Sequence, residues 1–77
     1  MKRVLIPIAS GFEEIEALAV LDILRRAGIE VLMAGTIDNP IEGRNRINII
    51  SDISLDSVKN QDFDMIVLPG GDRKSVV

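Results

Sequence analysis

Near its start the chain has two short, mostly apolar runs, residues 4–9 and 29–34 with only Glu30 charged, and one helix-length segment between them. Neither run alternates polar with apolar, so each reads as a strand covered on both faces. Ser10-Gly11 makes the first turn. Residues 12–27 read as the helix, with Glu13, Glu14 and Glu16 in its first turns and Arg25 and Arg26 in its last. That distribution complements the helix macrodipole. Gly28 then supplies the usual stop. Strand, helix and strand joined by short turns leave one arrangement, a parallel pair with a right-handed crossover. Pro7 is the one discordant residue, because a central strand cannot ordinarily spare an amide donor.

The remainder continues the pattern. Residues 36–45 are polar and rich in turn formers, including Asn39-Pro40. Residues 47–50 form a short apolar run that reads as a strand. Residues 54–59 fit a single helical turn with Leu55 and Val58 inward. Residues 65–68 form another apolar run, stopped by Pro69-Gly70-Gly71. The alternation of strands and helices predicts a doubly wound α/β sheet. No repeat, linker or low-complexity tract interrupts it.

With 77 residues the chain allows one small domain at most, yet 47% of it is apolar. That excess predicts a surface made to meet the rest of a larger domain or another subunit. The sequence contains no cysteine and no histidine, which removes disulfides and argues against a zinc site. A net charge of −3, two aromatic residues and no basic stripe argue against nucleic acid. No apolar stretch is long enough to span a bilayer, and the first run passes straight into Glu13 and Glu14, unlike a signal peptide. These features predict a soluble, cytoplasmic protein.

Two places carry possible chemistry. On a helical wheel at about 100° per residue, Ala17, Ala19, Val20, Leu21, Ile23, Leu24 and Ala27 fill one apolar arc. Glu14, Asp22, Arg25 and Arg26 gather opposite. Glu16 falls between Ile23 and Ala27, inside the apolar arc. A carboxyl group buried there has a raised pKa unless donors or a cation compensate it, and poised carboxyl groups are a common catalytic device. The plainer reading is that Glu16 serves the helix dipole and reaches water past the helix end. Glu13 has the dipole reading first. Asp22 and Arg26 are spaced for a surface pair. Ile15 and Leu18 lie off the arc and suggest a second contact surface, although single exposed apolar residues are also ordinary. The second place is Gly70-Gly71. In open α/β sheets sites form at the carboxyl ends of strands, and glycine there lets backbone amides face a ligand. Taken alone, Pro-Gly-Gly is more often only a turn. A dinucleotide fingerprint, a Walker A loop and a G-x-S-x-G serine context are absent.

VLIPIASGFEEIEA, DILRRAGIEVLMAG, SDISLDSV and DMIVLPGG occur in this order and spacing. Together they resemble the ThiJ/PfpI superfamily, in its deglycase and glyoxalase-like branch, over residues 3–71. G-x-E-E-x-E at residues 11–16 combined with LPGG at residues 68–71 carries the resemblance. It implies the N-terminal half of a flavodoxin-like doubly wound sandwich with a mostly parallel sheet, residues 1–77 being a partial domain of that type. Glu16 matches the glutamate set against the family's nucleophilic cysteine, Gly71 the glycine whose amide forms the oxyanion pocket, and Gly70 the turn beside it. Ile15 and Arg26 match a region of helix used in the family's homodimer. An arginine common between the second and third strands has no clear match; Asn45 stands there between Arg44 and Arg46.

The resemblance also implies that a C-terminal half, with the nucleophile elbow, its cysteine and a nearby histidine, is missing through truncation, a frameshift or cleavage. A complete member would act without a cofactor on small reactive carbonyls such as methylglyoxal and its protein adducts. This chain alone, lacking a nucleophile, is expected to be inactive or to need a partner half. An intracellular peptidase, a stress chaperone and a glutamine-amidotransferase-like domain are the other readings. The acidic GFEEIE helix argues against the last.

Overall fold

The computed structural model describes residues 2–70. Strand β1 (Arg3–Ile8) leads through the Gly11 turn into helix α1 (Glu14–Arg26), which returns the chain to strand β2 (Glu30–Gly35). The two strands pair in parallel along their full length, Arg3 opposite Glu30 through Ile8 opposite Gly35. A small hairpin follows, strand β3 (Ile41–Glu42) against strand β4 (Asn48–Ile49). The chain then forms strand β5 (Ile53–Ser54), helix α2 (Leu55–Val58) and strand β6 (Met65–Ile66). The main sheet has the order β5-β2-β1-β6 and is parallel throughout. The predicted α/β fold with a mostly parallel sheet is therefore the observed one.

Several boundaries differ in instructive ways. The segment read as a strand at 47–50 does form one, but it turns back on β3 and stays out of the main sheet. Its partner lies within the stretch read as turns. β5 leaves no mark in the sequence pattern because it pairs over only two residues and runs straight into α2. α2 is the expected single turn, with Ser54 as its N-cap, Val58 buried and Leu55 half-buried.

Pro7 sits in a central strand without disrupting it, and strand alternation explains how. The carbonyls of Lys2 and Ile8 accept from Glu30 and Thr36 on the β2 side, whereas those of Arg3 and Leu5 accept from Asp64 and Val67 on the β6 side. Odd-numbered residues therefore address β6, and Pro7 belongs to that set. The β1–β6 pairing extends only through Leu5 opposite Ile66. Pro7 has no N–H to give, and Pro69 has none to give to the Pro7 carbonyl, so the ladder ends there and residues 68–70 turn towards the start of α1.

The core lies between the sheet and α1, formed by Val4, Ile6, Ile8, Phe12, Ala17, Val31, Met33 and Ile41. A smaller cluster on the other face joins Leu5, Ala34 and Val58, with Phe63 packed against it. The α1 face against the core shares Ala17, Val20, Leu21 and Leu24 with the arc the wheel selected but not Ala19, Ile23 or Ala27. Glu14 and Ala17 are buried, and Leu18, Val20, Leu21 and Leu24 pack on the core cluster. Ile15 and Ile23 are 75% and 63% exposed, and Ala19 and Glu16 are exposed with them. α1 carries more apolar residues than one sheet face can cover, so the best-fitting arc merged two surfaces. The buried stripe is rotated towards Glu14, and Ile15, Ala19 and Ile23 form a second ridge at i, i+4, i+8 spacing.

Truncating a filled core position should cost much more than truncating an equally large residue on the open strand. Ile6→Ala, at a site with no solvent exposure, is expected to lose about 2–5 kcal/mol. Ile66→Ala, on β6, should change stability by no more than about 0.5 kcal/mol. Urea unfolding of the two variants checks the contrast, and equal losses would contradict the layer assignment.

Candidate functional site

Three segments meet at the start of α1: the hairpin, the helix N-terminus, and the bend after β6. Gly11, with φ +85°, turns the chain out of β1 and donates its N–H to the Glu42 carbonyl at 2.9 Å. The Arg44 N–H donates to the Phe12 carbonyl, and the Arg44 guanidinium pairs with Glu13 at 3.1 Å. Backbone and side chain together thus seat the hairpin on the first turn of the helix.

Glu14 is the buried carboxylate of this junction, with only 2% of its surface exposed. Its Oε2 accepts from the N–H groups of Asn45 and Ile47 at 2.8 and 3.1 Å, and its Oε1 accepts from Asn45 Nδ2 at 3.0 Å. An ionised carboxylate only accepts, and it satisfies all these inward-facing donors at once. Burial by itself pushes its pKa up. The hydrogen bonds outweigh that effect: its own N–H, the Ile47 N–H, and the side chain and backbone N–H of Asn45 hold it below the usual glutamate range. The chain fits closely here, because a Cβ on Gly43 would run into the Glu14 carboxyl group.

Glu16 is exposed, so the expectation of a carboxylate inside the buried stripe is corrected. It nevertheless faces the bend, where its Oε1 accepts from the Gly70 N–H at 2.9 Å. The Gly70 carbonyl in turn accepts from the Glu13 N–H at 2.6 Å. The bend is thereby tied to the helix start by both polar groups of one residue, and the Gly70 carbonyl satisfies one of the helix's free N-terminal donors, the Glu13 N–H. A Cβ at Gly70 would stand 2.9 Å from Glu16 Oε1, so a larger residue there would make the exposed Glu16 carboxylate shift from its present position. Gly71 lies outside the described residues.

The helical wheel singled out Glu16 and the end of β6 singled out Gly70, two residues that the structure joins by a hydrogen bond, but the wheel set Glu14 on the polar side of α1. The partners of Glu14 lie 31 to 33 residues further on, and no local pattern announces them. The nearest available hint was the turn-rich stretch about Gly43, whose backbone donors needed an acceptor. Asn45, at the position where an arginine was sought, serves as a donor to Glu14 and to Glu13. Asp22 and Arg26 form the expected exposed pair at 3.2 Å. A small, mostly apolar pocket of about 140 Å³ lies nearby, lined by Pro7, Ala9, Phe12, Thr36, Leu68 and Pro69. It is below the roughly 300–1,000 Å³ of ordinary ligand sites, and Glu16 is not part of its wall. Among the described residues no group of acidic side chains is arranged to hold a metal ion, and no helix is long and apolar enough to cross a membrane.

The depressed pKa of Glu14 has a definite signature. Its stabilising contribution is fully present above the unfolded glutamate pKa of about 4.3 and is lost as the pH falls through the lower folded value. The stability difference between the wild type and Glu14→Gln should therefore be widest above about pH 4.3 and shrink below it. Urea unfolding at a series of pH values tests this, and a difference independent of pH would contradict it.

Known proteins share this fold. The model of the DJ-1/PfpI family matches residues 2–76. Protein DJ-1 homolog A of Arabidopsis thaliana is 44% identical over 70 residues, covering 90% of this chain and 18% of its own length. A glutathione-independent glyoxalase of Caenorhabditis elegans is 42% identical over 59 residues, covering 77% of this chain and 32% of its own length. Oxidized DJ-1 of Toxoplasma gondii superposes with a TM-score of 0.89 at 38% identity, over 92% of this chain and 39% of that one. The chain thus spans well under half the length of these relatives. Matched along nearly its whole length in both sequence and backbone, the chain belongs to the DJ-1/PfpI family.

Proposed function

We propose that this chain is the N-terminal part of a cysteine-dependent, cofactor-free glyoxalase or deglycase acting on small reactive carbonyls such as methylglyoxal and its protein adducts. The observation that carries the reading is the Glu16–Gly70 hydrogen bond, which joins a carboxylate to a glycine bend beyond the end of a parallel strand. Such bends are where open α/β sheets build their sites. Relatives named as a glyoxalase and, in Thermococcus kodakarensis, as a deglycase support the reaction class.

In this reading a thiolate attacks the substrate carbonyl, and the electrons of the C=O bond move to oxygen. Glu16 stands beside the sulfur and tunes its reactivity, while the amide of Gly71, shaped by the Gly70 turn, donates to the developing oxyanion. The chain itself has no cysteine and no histidine, so its own share is the acid and the amide. The nucleophile comes from a C-terminal half, carried by a longer chain or by a partner. The reading includes a cytoplasmic location and residues 1–77 as a partial domain.

The ridge of Ile15, Ala19 and Ile23, bordered by the Asp22–Arg26 pair, is the proposed homodimer contact. Exposed apolar residues in a row with a polar margin are the usual make-up of such surfaces.

The isolated chain should consume no methylglyoxal above background. A chimaera joining residues 2–70 to the remaining part of the Caenorhabditis elegans relative should be active. In it, Glu16→Gln should lower kcat/KM by about 100-fold or more, the scale of a lost acid–base group. An active isolated chain, or a chimaera indifferent to Glu16→Gln, would overturn the assignment. In the same chimaera Ile15→Glu should shift the particle from dimer to monomer in sedimentation, and an unchanged mass would remove α1 from the interface.

A further inference from the structure

The mechanism proposed above uses Glu16 and the glycine bend but leaves the buried carboxylate two residues earlier without a role. We infer that Glu14 is a positioning residue: by clasping the hairpin onto the first turn of α1, it sets where that turn holds Gly70. The catalytic meaning of this placement rests on the reading above, whereas the coupling itself does not.

The connection can be followed bond by bond. The hairpin is held at Glu14 by the Asn45 and Ile47 N–H groups and by Asn45 Nδ2. The same hairpin fixes the residues just before the helix, through Gly11 N–H to Glu42 and Arg44 N–H to Phe12. Those residues lead directly into Glu13, whose N–H grips the Gly70 carbonyl, and Glu16 grips the Gly70 N–H. Within the described residues β6 pairs with β1 only through Ile66, so these two bonds supply the polar hold on Gly70.

Removing the Glu14 carboxylate would leave inward-facing N–H groups without an acceptor, and such groups relax by drawing the hairpin away. The first turn would then lose one of its two supports. The charged residues nearest Glu14 are Glu13 just before the helix, Glu16 in its first turn, and Glu42, Arg44 and Arg46 in the hairpin, while Asp22, Arg25 and Arg26 lie at the far end of α1. Arg44 is engaged with Glu13, which leaves Glu14 held by uncharged donors.

Backbone amide resonances of the labelled chain, followed against pH in the triple variant Glu13→Gln/Glu16→Gln/Asp72→Asn, which removes the other carboxyl groups close to Gly70 in space or in sequence, test the coupling. Glutamine at 16 keeps an oxygen for the Gly70 N–H but does not titrate, so a pH response at Gly70 has to arrive from elsewhere. The Gly70 resonance is expected to move with the same midpoint as the Ile47 resonance, below the usual glutamate range, and both should be flat when Glu14→Gln is added. A Gly70 resonance that stays fixed while Ile47 titrates would overturn the proposal, as would a Gly70 shift that survives Glu14→Gln. Gly43→Ala in the otherwise unaltered chain provides a second perturbation, because its Cβ displaces the Glu14 carboxyl group. Hydrogen exchange at both Ile47 and Gly70 should then accelerate by about tenfold or more. Acceleration at Ile47 alone would make the clasp a local feature of the hairpin and overturn the proposal. None of these readings involves turnover, so an inactive chimaera would leave the coupling standing.

Discussion

Pairing β1 with β2 in parallel obliges the chain to leave the carboxyl end of one strand and re-enter at the amino end of the next. Each strand has six residues, or about 20 Å at roughly 3.3 Å per residue. The 13 residues of α1 return about 20 Å at 1.5 Å per residue. The helix therefore matches the strands it must span, and its two ends fall at the two ends of the sheet. Its N-terminus has to sit at the carboxyl edge, where β1 ends and the chain after β6 emerges. The site is a consequence of that geometry before any particular acid is considered.

Much of this was legible because the signals are local. Runs with apolar residues on both strand faces identify β1 and β2, and acids before arginines with Gly28 after them orient α1. Gly28 adopts φ +81° in the structure, a conformation costly for other residues. What could not be read depends on distant partners. The wheel sorted α1 by hydrophobicity alone and so moved Glu14 to the surface and Glu16 to the interior. The structure reverses both, since a charge can be buried wherever donors converge on it, and those donors come from a hairpin whose strands are two residues each. Gly70 was recognisable as a bend, but its two bonds to the helix start were not.

The apolar excess has a similar explanation. Beyond the core, Met65, Ile66 and Leu68 stand exposed along one sheet margin, and Ile15 and Ile23 along one helix ridge. These are two separate surfaces with different physics. The β6 margin presents backbone groups as well as side chains, which suits continuation of a sheet. The α1 ridge presents side chains only, with an ion pair at its border, which suits contact between preformed bodies. Relatives more than twice as long as this chain are consistent with at least the first being covered in a complete member.

Glu14 and Glu16 illustrate how one turn of helix serves two purposes. Two residues apart on a helix are about 200° apart in direction, so neighbouring acids cannot share an environment. One points into the hairpin and is consumed by it, every accessible oxygen engaged by donors that stabilise the charge. The other points to the bend, with one oxygen bound to Gly70 and the side chain still open to solvent. The first carboxylate is suited to holding a shape, whereas the second keeps a solvent-facing side at the bend. Exchanging their positions by a shift of even one residue would rotate both by about 100° and lose the hairpin and the bend together. The spacing G-x-E-E-x-E is thus a geometric requirement of the junction as much as a chemical one.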